Sequence, residues 1–207
     1  MAKPEAVIFD IGNVLIEWRP ERFFDRIMGP GERARMFAAI DLHQMNDRID
    51  RGAPFRQTVY DWADRYPEWT EMIRLWHDNW ADIAAPAISQ SVRLLGALRR
   101  AAVPVFVLSN ISVETMQIAR STYPFLGEFD RYYVSGAMKV AKPDPEIFTR
   151  VESDCRIAPD RLLFVDDRQE NIDAAAACGW QVHRFDGPRA WAARLAAEGL
   201  LTQEDIT

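Results

Sequence analysis

The sequence predicts an α/β protein: a doubly wound parallel sheet with a small all-helical segment inserted after the first strand. Two observations support this fold class. Short continuous apolar runs, typical of strands buried on both faces, alternate with segments of helical periodicity over residues 84–207. Residues 17–83 show helical patterns and no convincing strand. We therefore predict a core formed by residues 1–16 and 84–207, and a helical segment at residues 17–83.

The first predicted strand is the apolar run from Val7 to Phe9. It ends at Asp10, and Gly12 and Asn13, two residues that favour turns, follow closely. Ligands bind at the carboxyl ends of strands in open parallel sheets, so a carboxylate at this point is well placed for chemistry. The simpler interpretation of this stretch alone is a solvated aspartate in an ordinary turn.

The inserted segment is rich in aromatic residues. Five of the seven tryptophans of the chain lie in it. We expect a small bundle packed through these aromatic side chains, and the alternative is that some of them face a substrate pocket. The predicted helices are one that begins at Pro20, residues 32–40, one that begins at Pro54, and residues 68–80.

The rest of the chain alternates between helix and strand. Capping residues mark several helix ends: Ser112 is predicted as an N-cap, Asp144-Pro145 as a helix start and Gly179 as a helix stop. The predicted helices are residues 88–100, 113–123, 145–152, 170–178 and 190–198, and the predicted strands are 105–108, 132–135, 162–165 and 181–185.

Composition limits the classes of partner. The 207 residues carry a formal net charge of −6 without a basic run, which argues against nucleic acid or an anionic membrane as the main partner. No apolar run reaches the length of a membrane span, and the N-terminus resembles no secretory signal, so we expect a cytoplasmic protein. Cys155 and Cys178 have no metal-ligand spacing, and the three histidines are far apart. We expect a monomer or a homodimer.

Polar residues follow several predicted strands and one later loop. If the strands are parallel neighbours, these residues meet at one edge of the sheet. The residues are Asp10, Ser109-Asn110, Lys142 in the loop AKPD, and Asp166-Asp167. Taken singly, most have ordinary explanations, because Ser-Asn is common in turns and a lysine before proline is usually solvated.

The adjacent acids Asp166 and Asp167 are the least ordinary of these residues. Two carboxylates at the end of a buried strand are costly without a cation, and oxygen ligands indicate a hard cation such as Mg²⁺. A hydroxyl, an amide and an ammonium beside them would suit an anion such as a phosphate. An aspartate at such a site can also act as a nucleophile.

Four motifs in this order resemble those of the haloacid dehalogenase-like (HAD) hydrolases. They are FDIGNVL, VLSN, AKPDPEIF and FVDDRQEN. The resemblance covers nearly the whole chain, and the helical segment lies where members with an inserted cap carry it. The D-x-G-N-V form looks like a subgroup that includes sugar-1-phosphate phosphatases.

The resemblance implies a role for each matched residue. Asp10 would be the nucleophile that becomes phosphorylated. Its carboxylate, the backbone carbonyl of Gly12, Asp167, and Asp166 directly or through water would bind Mg²⁺. Asn171 would orient Lys142 or a metal-bound water.

The same resemblance assigns the binding of the phosphoryl group to two other motifs. Ser109 and Asn110 would hold the transferring phosphoryl group, and Lys142 would neutralise its oxygens and Asp10. The helical cap would close over the site and select the substrate.

Gly12 departs from the pattern of the family. Phosphatases of this family usually carry a second aspartate at that position, which protonates the leaving oxygen and later activates water. Its absence predicts a slow enzyme, an acid supplied by the cap, or a substrate with a good leaving group. Asp47, Asp50 and Arg51 are candidates for substrate contact from the cap, with exposed surface charge as the simpler interpretation of each.

The expected function is therefore a Mg²⁺-dependent phosphatase that hydrolyses a small phosphomonoester, such as a sugar 1-phosphate, through an aspartyl phosphate on Asp10. Two alternatives stay open. One is a 2-haloacid dehalogenase that uses Asp10 without a metal, although such enzymes usually carry an aromatic residue where Gly12 stands. The other is a non-catalytic binding protein on the same fold, suggested by the missing acid.

Overall fold

The computed structural model describes residues 2–205, and its centre is a five-stranded parallel sheet. The strands of the chain are β1 (Ala6–Phe9), β2 (Ile16–Trp18), β3 (Ala84–Ala87), β4 (Val105–Ser109), β5 (Arg131–Val134), β6 (Leu162–Asp166) and β7 (Gln181–Arg184). The order in the large sheet is β5-β4-β1-β6-β7. The chain thus runs outward from β1 on one side and then returns to fill the other side. Such a reversal of strand order creates a crevice at the carboxyl ends of the central strands.

Eleven α-helices accompany the sheet within the described residues. They are α1 (Pro20–Ala39), α2 (Leu42–Asp50), α3 (Phe55–Ala63), α4 (Thr70–Asp78), α5 (Trp80–Ile83), α6 (Ser89–Arg100), α7 (Val113–Thr122), α8 (Ser135–Met138), α9 (Pro145–Cys155), α10 (Gln169–Ala177) and α11 (Pro188–Ala197). Helix α1 is kinked at Gly29, which has a φ of 79° and is followed by Pro30. The kink separates the two helices predicted there. Within residues 2–205, no helix combines the length and hydropathy needed to cross a membrane.

Each face of the sheet packs into its own apolar cluster. Every residue of β1, β4 and β6 is buried, and their sequences are apolar throughout except for the last residues of β4 and β6, Ser109 and Asp166. Val7 and Phe9 join a cluster that includes residues of α6 and α11, whereas Ala6 and Ile8 join a cluster with residues of α9 and α10. Helices therefore cover both faces, and the predicted doubly wound sheet is confirmed.

The helical segment packs through aromatic side chains, as expected. Trp76 is fully buried, and its ring lies 6.2 Å from that of Phe24 and 5.8 Å from that of Trp18 between centroids. Edge-to-face and stacked pairs at such distances add to the stabilisation from burial. Trp18 and Trp80 also line the large cavity described below.

Among the elements of this region that were not predicted are β2, β3 and α2. Strands β2 and β3 form an antiparallel ribbon in which Ile16 pairs with Ala87 and Trp18 with Ala84. The ribbon joins the two places where the chain leaves and re-enters the core. Helix α2 was also missed, and its N-cap is Asp41, whose carboxylate accepts a hydrogen bond from the backbone of Gln44 at 2.8 Å.

Candidate active site

A cavity of about 720 Å³ lies at the carboxyl ends of the central strands. One wall comes from the sheet: Asp10 and Gly12 follow β1, Ser109 is the last residue of β4, and Asp167 follows β6. The opposite wall comes from β2, α2 and the start of α5. Four of the predicted site residues are thus brought together by the strand order, and Asn110, Lys142 and Asn171 line the same cavity.

Lys142 lies at the centre of the site. Its ammonium is 3.0 Å from Asp10 Oδ1 and 2.5 Å from Asp166 Oδ2, and it donates to the carbonyl of Leu108 at 2.9 Å. Burial lowers the pKa of Lys142, but the charges of Asp10 and Asp166 outweigh it, and the net pKa is raised. The side chain is therefore a buried cation held by two carboxylates.

Asn110 fixes the backbone that carries this lysine. Its Nδ2 donates to the carbonyl of Lys142 at 2.8 Å, and its Oδ1 accepts from the backbone N–H of Lys142 at 2.9 Å. The motif resemblance predicts that this side chain holds the transferring phosphoryl group. In the structure both ends of its amide are engaged by Lys142, so its observed contacts position the lysine.

Replacing Asn110 with alanine is expected to destabilise the protein by about 1–3 kcal/mol, because two backbone groups of Lys142 lose their partners. The displaced ammonium should also lower kcat by about 10–100-fold. Urea unfolding and steady-state kinetics measure the two effects. Asn79→Ala is a matched control, since the Asn79 side chain donates to Asp82 at 3.3 Å and Asn79 is absent from the cavity lining within residues 2–205. Equal stability and activity of the two variants would refute this role.

Three carboxylates converge beside the lysine. One oxygen from each of Asp10, Asp166 and Asp167 lies within 4.8 Å of the others. The pKa of Asp10 is raised to about 6, and burial is the largest cause. The charge of Lys142 opposes the rise, the charges of Asp166 and Asp167 add to it, and a hydrogen bond from Ser109 opposes it. Burial also raises the pKa of Asp167, although its hydrogen bond from Asn13 opposes that shift. One ammonium does not neutralise three acids.

Asp166 and Asp167 occupy different environments. Asp166 is fully buried, and its oxygens accept from Lys142, from the backbone N–H of Arg168 at 2.8 Å and from Asn171 Nδ2 at 3.0 Å. Asp167 lines the cavity, whereas Asp166 is absent from its lining among residues 2–205. The geometry therefore gives Asp167 direct access to a ligand and lets Asp166 hold Lys142 and Asn171.

The oxygen-rich set fits a hard cation. Within the described residues, Asn171 Oδ1 is buried without a hydrogen-bond partner, and Asp10 Oδ1 is buried with the Lys142 ammonium 3.0 Å away. Buried acceptors of this kind are unusual unless an ion or water satisfies them. Mg²⁺ binds oxygen ligands, usually one or two carboxylates together with waters and substrate phosphate, so the carboxylates present fit that ion.

In the metal-free protein, Asp10→Asn is expected to raise stability at pH 8. The folded pKa of about 6 exceeds the ordinary 3.8, so the stabilisation from Asp10 is fully present below pH 3.8 and is lost as pH rises through 6. A shift of this size corresponds to about 3 kcal/mol. Urea unfolding in chelator should give a gain of about 1–3 kcal/mol at pH 8 that shrinks as the pH falls towards 4. A less stable variant at pH 8 would contradict this electrostatic account.

Asn13 is a site residue that the sequence did not single out. It has a left-handed φ of 54°, a conformation that asparagine tolerates better than most residues. Its Nδ2 donates to Asp167 Oδ2 at 2.9 Å, and its Oδ1 accepts from the backbone of Trp18 at 3.0 Å. The asparagine directly after Gly12 in the first motif was the available signal.

The three candidates for substrate contact from the helical segment, Asp47, Asp50 and Arg51, differ in position. Asp47 and Asp50 line the cavity, and Arg51 does not appear in that lining among the described residues. The guanidinium of Arg51 instead pairs with Asp47 at 3.0 Å on the surface. Polar residues of the segment and of β2 that were not anticipated complete this wall: Glu17, Asp41, His43, Gln44 and Asn46.

Two curated proteins are similar to this chain over most of their length. A sesquiterpene phosphatase from Aspergillus oryzae is 25% identical over 200 residues, which covers 84% of this chain and 86% of that protein. The D-ribitol-5-phosphate phosphatase from Bacteroides thetaiotaomicron is 22% identical over 207 residues, covering 89% and 93%.

A solved structure shares the fold. A HAD family enzyme from Bacteroides thetaiotaomicron superposes with a TM-score of 0.72 at 21% identity, covering 94% of this chain and 99% of that one. The wild-type complex of that enzyme with magnesium and inorganic phosphate gives a TM-score of 0.65 at 22% identity, covering 87% and 93%.

The family itself is shown by a match of the haloacid dehalogenase-like hydrolase family to residues 4–179. That range contains the four motifs and all the residues brought together around the cavity by β1, β4 and β6. The resemblance inferred from the motifs is confirmed: this chain belongs to the haloacid dehalogenase-like hydrolases.

Proposed function

We propose that the protein is a Mg²⁺-dependent phosphatase that hydrolyses a small phosphomonoester, such as a sugar 1-phosphate, with Asp10 as the nucleophile. The observation that carries the proposal is the convergence of Asp10, Asp166 and Asp167 around the buried ammonium of Lys142. Three acids with one cation form a site with excess negative charge. An anionic substrate needs a divalent cation there, and a metal-free reaction would not need the third acid.

The side chains have distinct roles in this proposal. An Asp10 oxygen attacks phosphorus, and the leaving oxygen departs from the opposite side. Lys142 keeps Asp10 ionised and stabilises negative charge on the phosphoryl oxygens. Ser109, beside Asp10, donates to the phosphoryl group, and Asn110 keeps Lys142 in place and contributes to the same pocket.

The metal site would be formed by Asp10, the carbonyl of Gly12, Asp167 and, directly or through water, Asp166. Asn171, whose Nδ2 donates to Asp166, has an unpaired Oδ1 that would accept from a water held at this site. Mg²⁺ bound there would neutralise the charge between the carboxylates and the phosphoryl group.

The comparisons support the reaction class. Both curated relatives are named as phosphatases, and the similar enzyme from Bacteroides thetaiotaomicron binds magnesium and inorganic phosphate. We further propose that residues 17–83 act as a cap over a core of residues 1–16 and 84–207. We also propose a cytoplasmic location, which fits the two free cysteines.

The cap side of the cavity favours a substrate with several hydroxyl groups. Its carboxylates, amides and imidazole offer many hydrogen-bonding groups, while Trp18 and Trp80 provide flat apolar surfaces. A second anionic group on the substrate would be repelled by the acids of this wall. We therefore expect monophosphates of sugars and polyols to be better substrates than nucleoside triphosphates or bisphosphates.

A screen of sugar phosphates, acyl phosphates and nucleotides, with Mg²⁺ and with chelator, tests the proposal. We expect phosphate release that requires Mg²⁺ and is fastest for a hydroxyl-rich monophosphate. Activity that survives complete removal of Mg²⁺ would contradict the mechanism. Chloride release from 2-chloropropionate in chelator would favour the dehalogenase alternative, and ligand binding without any turnover would favour a binding protein.

A further inference from the structure

The proposed reaction needs a group that protonates the leaving oxygen, and the core does not supply one at Gly12. The backbone does not require glycine there, because a Cβ atom on Gly12 would lie at an ordinary 3.8 Å from the Cβ of Trp18. Outside the set already assigned, four acids line the cavity within the described residues, and all lie on β2 or in the cap. They are Glu17, Asp41, Asp47 and Asp50.

Three of these acids are engaged elsewhere. Glu17 pairs with Arg22, Asp47 pairs with Arg51 at 3.0 Å, and Asp41 caps the N-terminus of α2. Asp50, the last residue of α2, is half-buried and has no salt-bridge partner within residues 2–205. We propose that Asp50 is the general acid and base of this enzyme, an inference that rests on the proposed phosphatase function.

The carboxylate of Asp50 is held by a short relay of hydrogen bonds. Asn46 Nδ2 donates to Asp50 Oδ2 at 2.7 Å, and Asn46 Oδ1 accepts from Trp76 Nε1 at 3.2 Å. Trp76 is fully buried in the aromatic core of the cap. The relay holds one oxygen of Asp50, and Asp50 lines the cavity. Pre-positioning of this kind is what proton transfer in a transition state requires.

The backbone of Asp50 is joined to the core beside the phosphoryl-binding loop. Its carbonyl accepts from Ser135 Oγ at 2.6 Å, and the same hydroxyl oxygen accepts from the backbone N–H of Ile111 at 2.9 Å. Ile111 directly follows Ser109 and Asn110. Asp50 is thereby held in a fixed relation to the loop after β4, although it belongs to the cap.

The surroundings of Asp50 favour the protonated form. Burial raises its pKa, and the nearby charges of Asp47 and Asp10 raise it further, while Arg168 and Arg51 oppose them. The side chain that donates to the Asp50 carboxyl is the uncharged amide of Asn46. The raised pKa of the Asp50 carboxyl favours its protonated form, and a protonated carboxyl can donate to a leaving oxygen, as general acid catalysis requires.

The proposed reaction has two half-reactions, and Asp50 transfers one proton in each. Asp10 attacks phosphorus, the bond from phosphorus to the leaving oxygen breaks, and that oxygen takes the proton of Asp50. The Asp50 carboxylate then takes a proton from a water molecule whose oxygen attacks the phosphorus of the aspartyl phosphate. The bond from phosphorus to Asp10 breaks, inorganic phosphate leaves, and both aspartates return to their starting forms.

The test compares Asp50→Asn with the wild type on two probes, p-nitrophenyl phosphate and glycerol 1-phosphate. The alkyl phosphate has a poor leaving group and should lose about 10²–10⁴-fold in steady-state turnover. The aryl phosphate does not need the acid for the first step. Rapid-quench assays of the variant should therefore show a burst of about one p-nitrophenol per enzyme. Slow turnover should follow, because hydrolysis of the phosphoenzyme then lacks its general base.

Asp61→Asn, on the exposed face of α3, is the control and should behave as the wild type. If Asp50→Asn does not reach the wild-type circular dichroism spectrum, Asp50→Ser is assayed in the same way. Unchanged turnover of both probes, or an equal loss on both without a burst, would overturn the role of Asp50. Absence of phosphate release by the wild type would instead refute the proposed function itself.

Discussion

Phosphate release is expected to fall by at least about 10⁴-fold when Asp10 is replaced by asparagine. The amide has nearly the shape of the carboxylate, so the fold should be kept, but its oxygen is a poor nucleophile. The change also removes a charged ligand from the oxygen set around the proposed metal. Steady-state release from the best substrate of the screen, at saturating Mg²⁺, measures the effect.

Asp173→Asn provides a matched control for this variant. Asp173 is an exposed acid on α10 whose carboxylate accepts from Gln169 at 2.8 Å, and among residues 2–205 it does not line the cavity. We expect its turnover to stay within about threefold of the wild type, as is usual for surface substitutions. A comparable loss in both aspartate variants, or an Asp10→Asn enzyme within tenfold of the wild type, would show that Asp10 is not the nucleophile.

Replacing Lys142 with methionine is expected to remove activity and to destabilise the protein together. Asp166 is fully buried, and the substitution leaves it and Asp10 without their cation. Removing one partner of a buried pair typically costs about 3–5 kcal/mol. Turnover should fall by at least about 10³-fold, because the charge on the phosphoryl oxygens also loses its stabilising ammonium.

Urea unfolding in chelator across pH 5 to 8 measures the stability of this variant. The deficit should be largest at pH 8 and should shrink as the pH falls, because the unpaired carboxylates then take up protons. The exposed Lys3→Met is the control and should unfold as the wild type does. A Lys142→Met protein as stable as the wild type at pH 8 would mean that this ion pair does not hold the site together.

The sheet and the polar residues at the carboxyl ends of its strands were predictable because each depends on a local pattern. Strands buried on both faces have continuous apolar sequences, and the polar residues that end them, such as Asp10 and Asp167, are next to those runs in the chain. Parallel order then brings them together without further information. The predicted helix caps at Ser112 and Asp144 depend on neighbouring residues in the same way, and both are observed.

The features that were missed depend on contacts between distant residues. The ribbon pairs Trp18 with Ala84, and neither three-residue nor four-residue strand has a pattern of its own. The double hydrogen bond between Asn110 and Lys142 spans 32 residues. Helix α2 did carry a signal, since Leu42, Met45 and Ile49 are its buried residues at helical spacing. The missed helix is the reason that Asp50 could not be separated from ordinary surface charge.

The central claim is that Asp10 carries the phosphoryl group between the two half-reactions. Acid quenching during turnover of p-nitrophenyl phosphate, followed by digestion and mass spectrometry, tests it directly, and Asp50→Asn should make the intermediate accumulate. We expect the peptide that contains Asp10 to gain the mass of one phosphoryl group, and this gain to be absent from Asp10→Asn. Turnover by an active enzyme with no phosphorylated peptide, or with the phosphoryl group on another residue, would contradict the account.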